Sequence, residues 1–378
     1  MSKNILAKII YGYIVYIFWI LFMKYILNID KLQLGDIILE SGNTKVVSST
    51  IKNITRSHYS HAMLYIDRTI IHADGEGVYS KNPQRILVNN INDLKVLRCE
   101  MLSLEQKEKI CFFARTKIGS LYSVAEATLS PLLGKTEKTA SSREQFCSRL
   151  VAQAYYNGAG ISLVKNPDYC SPADIEKSEF LGIVHNSVRL ANSSEVKLEA
   201  TADPVLDHQR SSIRFLSPCR KLFEKKNFDI QTFDDINKAL AMYPNFDLEV
   251  CQYIRNSGYL DQYNFDRDEN LYRYNSNIFV ERFRKKYNFN DDLVNFEMKI
   301  NNIVFRQDIN EYRKAKKVHD NLNLKYTKLI LELYINLLLE VKTRFEVIAE
   351  ASKILGKPDI AIECSEKADA IKELLATK

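Results

Sequence analysis

The sequence predicts an α+β domain with a small antiparallel sheet, preceded by a membrane helix and followed by an α-helical domain. Three observations carry this reading. Residues 9–23, IIYGYIVYIFWILFM, hold no charge. Residues 34–190 mix apolar runs of strand length with patterns of helical spacing. From about residue 221 onward, long stretches repeat apolar residues at helical spacing between charged ones. A chain of 378 residues accommodates two or three domains. The expected boundaries are an anchor at 1–30, a mixed domain at 31–190, a polar linker at 191–220 and a helical domain at 221–378.

The amino-terminal run extends from about residue 5 to 27, interrupted only by Lys8 and Lys24, which can snorkel to an interface. That matches the ~20 apolar residues a spanning helix needs. Trp19, Tyr11, Tyr13, Tyr16 and Tyr25 lie in it, as interfacial aromatics do. No small-residue cleavage site follows, so an uncleaved single-pass anchor is expected, in a bacterial inner membrane. Lysines on both sides leave its orientation open.

In the mixed region, Asp36–Leu39, His61–Ile66, Thr69–Ala73, Ile86–Val88 and Leu94–Leu97 read as strands, and Val46–Thr55 as a short helix. Leu104–Ile118 has helical spacing after Ser103. Phe146–Tyr156 is a second helix, stopped by Asn157-Gly158. Residues 191–220 are polar and weakly periodic. Ser276–Tyr287, Asp291–Ala315, Leu324–Leu355 and Pro358–Thr377 then read as helices.

Composition excludes several classes. Hydrophobic residues at 46% supply a core, so the chain is not disordered. Twelve glycines and eight prolines exclude collagen-like and low-complexity chains. A net charge of +6 is small for the length, and no nucleic-acid partner is expected. The seven cysteines form no CxxC pair, so the common zinc spacings are absent and a disulfide scaffold is not expected.

Three segments occur in order: Leu34-Gly35-Asp36-Ile37-Ile38-Leu39; Ser60-His61-Ala62-Met63-Leu64-Tyr65-Ile66, followed by Ile70-Ile71-His72-Ala73 and Gly77-Val78; and Gln145-Phe146-Cys147-Ser148-Arg149-Leu150-Val151. Together they resemble the permuted branch of the NlpC/P60 papain-like cysteine hydrolases, the YiiX/YebB-like group, over about residues 34–190. A histidine strand before the cysteine helix is the permuted order. The resemblance implies that Cys147 attacks a carbonyl, that His61 takes its proton, and that His72 fills the third polar position. It also implies a tyrosine near the site, Tyr122, as a substrate-binding residue, and substrates that are peptide or cell-wall peptide amides, or lipid esters in some relatives. A histidine at the third position also resembles lecithin:retinol acyltransferase-like members. Gly35-Asp36 matches the family's turn into the first strand.

The residues support the same trio physically. Cys147 sits near the start of a helix, where free N–H groups and the dipole favour an anion and lower a thiol pKa. If Asp67-Arg68 is a two-residue hairpin loop, Met63 faces His72 and His61 faces Asp74. His61 and His72 are then diagonal neighbours on one sheet face. An odd loop length breaks this parity, and Asp-Arg is not a strong hairpin turn. His58 is a second candidate base, and Asp74 or Glu76 a second candidate orienter. Ser141-Ser142 can cap the catalytic helix, and the Cys147 backbone N–H is a candidate oxyanion donor.

Other chemistries lack support. There is no G-x-S-x-G, P-loop or dinucleotide fingerprint. A metal site built from His58, His61 and His72 would have to be presented by paired strands without a ligand cysteine, so neither a metal nor a cofactor is expected. The helical block carries no chemical motif and is read as a bundle that packs on the mixed domain or on a protein partner. Its basic stretch 282–286 reads as a solvated helix face. The expectation is a membrane-associated cysteine hydrolase cleaving an amide bond. A lipid ester hydrolase or acyltransferase of the same fold, or a catalytically inactive binding module, are the alternatives.

Overall fold

The computed structural model describes residues 23–41, 58–133, 142–285 and 292–376. The chain divides into two compact units, residues 1–210 and 211–378. The strands are β1 (Tyr25–Leu27), β2 (Ile37–Glu40), β3 (His61–Tyr65), β4 (Ile70–Asp74), β5 (Gly77–Lys81), β6 (Leu87–Val88), β7 (Leu94–Arg98), β8 (Gly182–Ile183) and β9 (Val188–Leu190). The helices of the first unit are α1 (Leu104–Thr116), α2 (Val124–Leu133), α3 (Cys147–Ala159), α4 (Pro172–Glu176), α5 (Ser193–Leu198) and α6 (Pro204–Glu224), the last running past the division.

Six strands form one antiparallel sheet in the order β5-β4-β3-β2-β7-β8. A second sheet has the order β6-β1-β9. Alternation sorts the large sheet's side chains to two buried faces. Ile37, Leu39, Ala62, Leu64, Ile71 and Ala73 pack with Ile110, Ala114, Leu150 and Ala154 of α1 and α3. Ile38, Met63, Tyr65, Ile70 and Val96 pack with Leu27, Ile86 and Val88 beside the small sheet. A strand covered on both faces reads as an unbroken apolar run, which is why Ile37-Ile38-Leu39 has no polar alternation.

α1 starts at a capping box in which Ser103 and Gln106 exchange hydrogen bonds. α3 runs through Asn157-Gly158, the expected stop, and ends at left-handed Gly160 (φ 72°). Gly158 is a packing residue: a Cβ there would lie 2.6 Å from the Ile110 backbone, so its absence lets α1 and α3 touch. Buried Asp36 holds the entrance to β2 through both Arg98 Nε and Nη2, at 2.7 Å each. The Tyr155 hydroxyl donates to the Gly35 carbonyl at 2.6 Å, tying α3 to the same turn.

Two sequence expectations are corrected. The anchor expected over 1–30 has its apolar core in residues outside those described. Its end, however, is not helical: Tyr25–Leu27 is a strand paired to β6 and β9, with Ile26 and Leu27 buried. Among the described residues no helix is long and apolar enough to cross a membrane. The stretch expected as a linker, 191–220, holds α5, opened by a capping box at Asn192 and Glu195, and most of the 21-residue α6. Its polarity is that of a helix with one exposed face. The short helix expected at Val46–Thr55 lies outside the described residues.

In the second unit, α7 (Phe233–Met242) and α8 (Asp247–Ser257) gather Ile236, Leu240, Ile254, Phe215, Phe223 and Tyr326 into one core. α9 (Asn264–Glu269), α10 (Ser276–Lys285), α11 (Asp292–Leu322), α12 (Lys325–Ile354) and α13 (Pro358–Ala376) form the rest. Phe279, Val341, Phe345, Ile348 and Ile371 make a second core. In the basic stretch, Arg282 lies 3.9 Å from the centre of the Tyr272 ring, a packed cation, and Lys285 pairs with Glu281.

Candidate active site

The site is assembled where the start of α3 meets the open end of β3 and β4. Cys147 is the first residue of α3, after Phe146 in extended conformation. The backbone N–H groups of a first helical turn have no partner within the helix. One of them, the N–H of Ser148, helps to lower the Cys147 thiol, and so does the N–H of Ala62.

The sheet explains why Ala62 is free to do this. Tyr65 N donates to Asp36 O at 2.8 Å, so the odd residues of β3 bond towards β2 and Ala62 N–H faces β4. The β3–β4 pairing covers only Leu64↔Ile71 and Tyr65↔Ile70. Beyond it the two strands are not paired.

Asp67 and Arg68 have φ of 68° and 60°, and Ile66 N bonds Thr69 O at 2.8 Å. This is a two-residue turn with both central residues left-handed, the geometry that matches strand twist. The parity expected from the sequence therefore holds. His61 Nε2 and His72 Nδ1 are 3.1 Å apart, with the rings edge to face. Because Nε2 is engaged with His72, it is the Nδ1 side of His61 that serves Cys147.

Electrostatics give each group a charge state. Burial pushes the Cys147 thiol up, but its hydrogen bond to His61, the imidazolium charge and the two backbone donors outweigh that and lower it. Burial pushes His61 down, and the bond to the Cys147 thiolate and its charge, with Glu40 adding, raise it overall. His72 is held well below the usual histidine range by burial and then by the His61 charge. These directions favour a thiolate–imidazolium pair, with His72 as the neutral partner 3.1 Å from His61 Nε2. Burial moves five other thiols the opposite way: Cys219 is pushed up to about 12, Cys111, Cys251 and Cys364 to about 11, and Cys170 further still.

Tyr122 is half-buried beside the site. A parallel bridge joins it to Gln145, with Gln145 N bonding Leu121 O at 2.8 Å. Burial, the Cys147 thiolate and Asp74 all push its phenol up, so it stays protonated as a donor. His58 is not brought in: it is exposed, 3.3 Å from Asp93. Asp74 Oδ2 lies 4.0 Å from His72 Nδ1 and Asp74 Oδ1 accepts from Glu76 N, while Glu76 accepts from Gln209. The residue oriented onto His61 is thus His72. Ser142 does not cap α3: its N–H and hydroxyl both donate to Glu126, and Ser141 lies outside the described residues. Among the described residues no three or more His, Cys, Asp or Glu side chains are arranged to hold a metal ion.

The sequence reading missed the support of α3. Arg149, fully buried, bonds Glu126 Oε2 at 2.8 Å, Glu144 O at 2.9 Å and Asp168 O at 2.7 Å. Its guanidinium lies over the rings of Phe146 (4.4 Å) and Tyr169 (5.1 Å). An arginine between apolar residues on a helix was the available signal: buried cations are rare unless paired.

Residues 31–169 match the model of a family described as permuted papain-like amidase enzyme, YaeF/YiiX, C92 family. No curated protein matches the chain. Among solved structures, the metalloprotein yiiX from Escherichia coli O157:H7 is 22% identical, over 41% of this chain and 97% of that chain, with a TM-score of 0.32. The matched stretch, residues 31–169, holds His61, His72, Tyr122 and Cys147, and by it the chain is similar to the permuted papain-like YaeF/YiiX group.

Proposed function

We propose that the first unit is a cysteine hydrolase that cleaves a peptide or cell-wall peptide amide through a thioacyl intermediate on Cys147. The observation that supports this most is the juxtaposition of Cys147, the first residue of α3, with His61, whose Nε2 lies 3.1 Å from His72 Nδ1; the thiol is lowered and the His61 imidazole raised accordingly. In the first step the thiolate attacks the carbonyl carbon, and the oxyanion forms beside the Cys147 backbone N–H at the start of α3. His61 then gives its Nδ1 proton to the leaving amine, leaving a thioester. In the second step neutral His61 takes a proton from water, the resulting hydroxide equivalent attacks the thioester, and the sulfur leaves as thiolate. His72 accepts from Nε2–H throughout and keeps the ring aimed.

The uncharged run 9–23 favours placing this unit at a membrane, with that segment as the anchor and lipid esters as a second substrate class. An inactive binding module is disfavoured by the intact Cys–His pair. The test is the alkylation rate of Cys147 against pH, read by peptide mass spectrometry, in the wild type and His61→Ala. A thiolate persisting well below the ordinary pKa of about 8.5, and lost in the mutant, is the expected result. A slow thiol unchanged by the mutation overturns the proposal. Intact mass after incubation with peptide and lipid-ester substrates then separates the classes by the acyl group left on Cys147.

A further inference from the structure

In the trio Cys147–His61–His72, the third member brings a lone pair and no charge. The only countercharge to the imidazolium within the trio is the thiolate, which disappears into the thioester. A carboxylate at the third position would remain; a neutral histidine cannot supply one.

The sheet register offers a carboxylate from the other side. Glu40, the last residue of β2, is directly opposite His61 in the antiparallel β2–β3 pair. Residues directly opposite share a sheet face, with Cβ atoms about 4.5–5.5 Å apart. Ser60 N donates to Glu40 O at 3.1 Å and fixes the backbone there. On its other side Glu40 is paired with Leu94 of β7, which is apolar and offers no cation. His61 is therefore flanked by His72 from β4 and Glu40 from β2. The remaining charged or titratable groups around it are Cys147 from α3, Asp74 from β4, Tyr122 from the segment before α2, and Lys81 at the end of β5, which opposes the imidazolium.

We propose that Glu40 is a positioning residue of this site, the carboxylate that sustains the His61 imidazolium from the strand opposite the one carrying His72. This rests on the Cys–His reading above. Glu40 touches neither substrate nor sulfur; it acts through His61, most of all in deacylation, as His61 takes the proton from water before the thiolate has left.

The test uses the full chain and carboxymethylation of Cys147 by iodoacetate across pH. A thiolate–imidazolium pair gives a bell, rising as the thiolate forms and falling as the imidazolium loses its proton. Glu40→Gln should move the falling limb down by about one to two pH units, the size of a unit charge some 5–6 Å away at an effective dielectric of about 20–40. Glu40→Asp, which keeps the charge but withdraws it, should fall between the two. If Glu40→Gln does not fold, Glu40→Thr, which suits a strand, carries the same expectation. A falling limb left at the wild-type pH in the neutral variants, with the bell intact, overturns the role of Glu40 alone. So does a limb that moves as far in Glu40→Asp as in Glu40→Gln, because that makes shape and not charge the cause. A wild type without a bell, or a profile unchanged in His61→Ala, overturns the Cys–His reading and this inference with it.

Discussion

Arg149→Met removes the guanidinium that fastens the start of the catalytic helix while leaving an apolar chain of similar length. Its partners are Glu126, the carbonyls of Glu144 and Asp168, and two ring faces. The Glu126 carboxylate also accepts from the Tyr169 hydroxyl at 3.0 Å and from Ser142. Breaking a buried pair by removing one partner costs about 3–5 kcal/mol, because the other charge is left behind. The lost cation–π contacts add about 0.5–1 kcal/mol each. A cost of about 4 kcal/mol is a large share of the ~5–15 kcal/mol that holds a domain together.

The pH dependence gives this prediction a sign. Burial pushes the Glu126 carboxyl up, but Arg149 and Ser142 outweigh it and hold the group well below the usual range. A depressed carboxylate contributes stability that is fully present above its unfolded pKa of about 4.3 and is lost as pH falls towards its folded value. In Arg149→Met that contribution is gone, so the gap between wild type and variant should close by about 1.4 kcal/mol per pH unit below about pH 4. Urea unfolding at pH 7, 4 and 3 measures the gap. A cost under about 1 kcal/mol at pH 7, or a gap that does not narrow in acid, would refute the reasoning. Glu126→Leu in the same chain should recover only part of the loss, since Ser142 loses its acceptor and the Glu144 and Asp168 carbonyls lose their Arg149 donor.

Three further outcomes are expected. Replacing Asp67-Arg68 by Asn-Gly relieves two left-handed residues (φ 68° and 60°) and should raise stability by about 1 kcal/mol, read as a higher denaturation midpoint with Cys147 alkylation unchanged. Asp36→Ala should cost about 3 kcal/mol, because it removes the buried carboxylate that takes two bonds from half-buried Arg98; an alkylation defect without a stability loss would make Asp36 chemical and not structural. His72, depressed in the fold, contributes stability that is present above the unfolded histidine pKa of about 6.5 and lost as pH falls below it, whereas raised His61 loses its contribution as pH rises through its folded value. His72→Gln should therefore flatten the acid side of the stability curve between pH 7 and 5, and should slow Cys147 alkylation less than His61→Ala does; a variant that keeps the full acid-side slope would remove His72 as its cause.

Much of the site was legible because it rests on local counting. One two-residue loop decides whether His61 and His72 share a face, and the residues on either side are few enough to pair by hand. The start of α3 was legible from the apolar spacing after Phe146. The end was not, because Gly158 reads as a stop when its real use is a contact with Ile110, 48 positions earlier. β1 was hidden because Tyr25–Leu27 continues the apolar run before it, and only its pairing with β6 and β9 distinguishes strand from span. β5, with one large aliphatic side chain in Gly-Val-Tyr-Ser-Lys, has too little periodicity to show. The Arg149–Glu126 pair and the Glu40–His61 register join residues about 20 positions apart. Neither has a spacing that a single sequence can reveal.

Burial alone would have silenced Cys147. All seven cysteines are buried, and burial leaves every thiol whose shift resolves raised, apart from Cys147, where other groups outweigh it. What separates Cys147 is a set of backbone donors that the fold leaves unused nearby. The helix supplies Ser148 N–H because a first turn has no carbonyl to receive it. The sheet supplies Ala62 N–H because β3 and β4 part after Leu64↔Ile71. If the ladder continued to residue 62, that donor would bond β4, and the thiol would keep the histidine but lose one of the groups that offset its desolvation. The early end of one strand pair therefore adds to what His61 does first, which is to favour the anion at a buried cysteine.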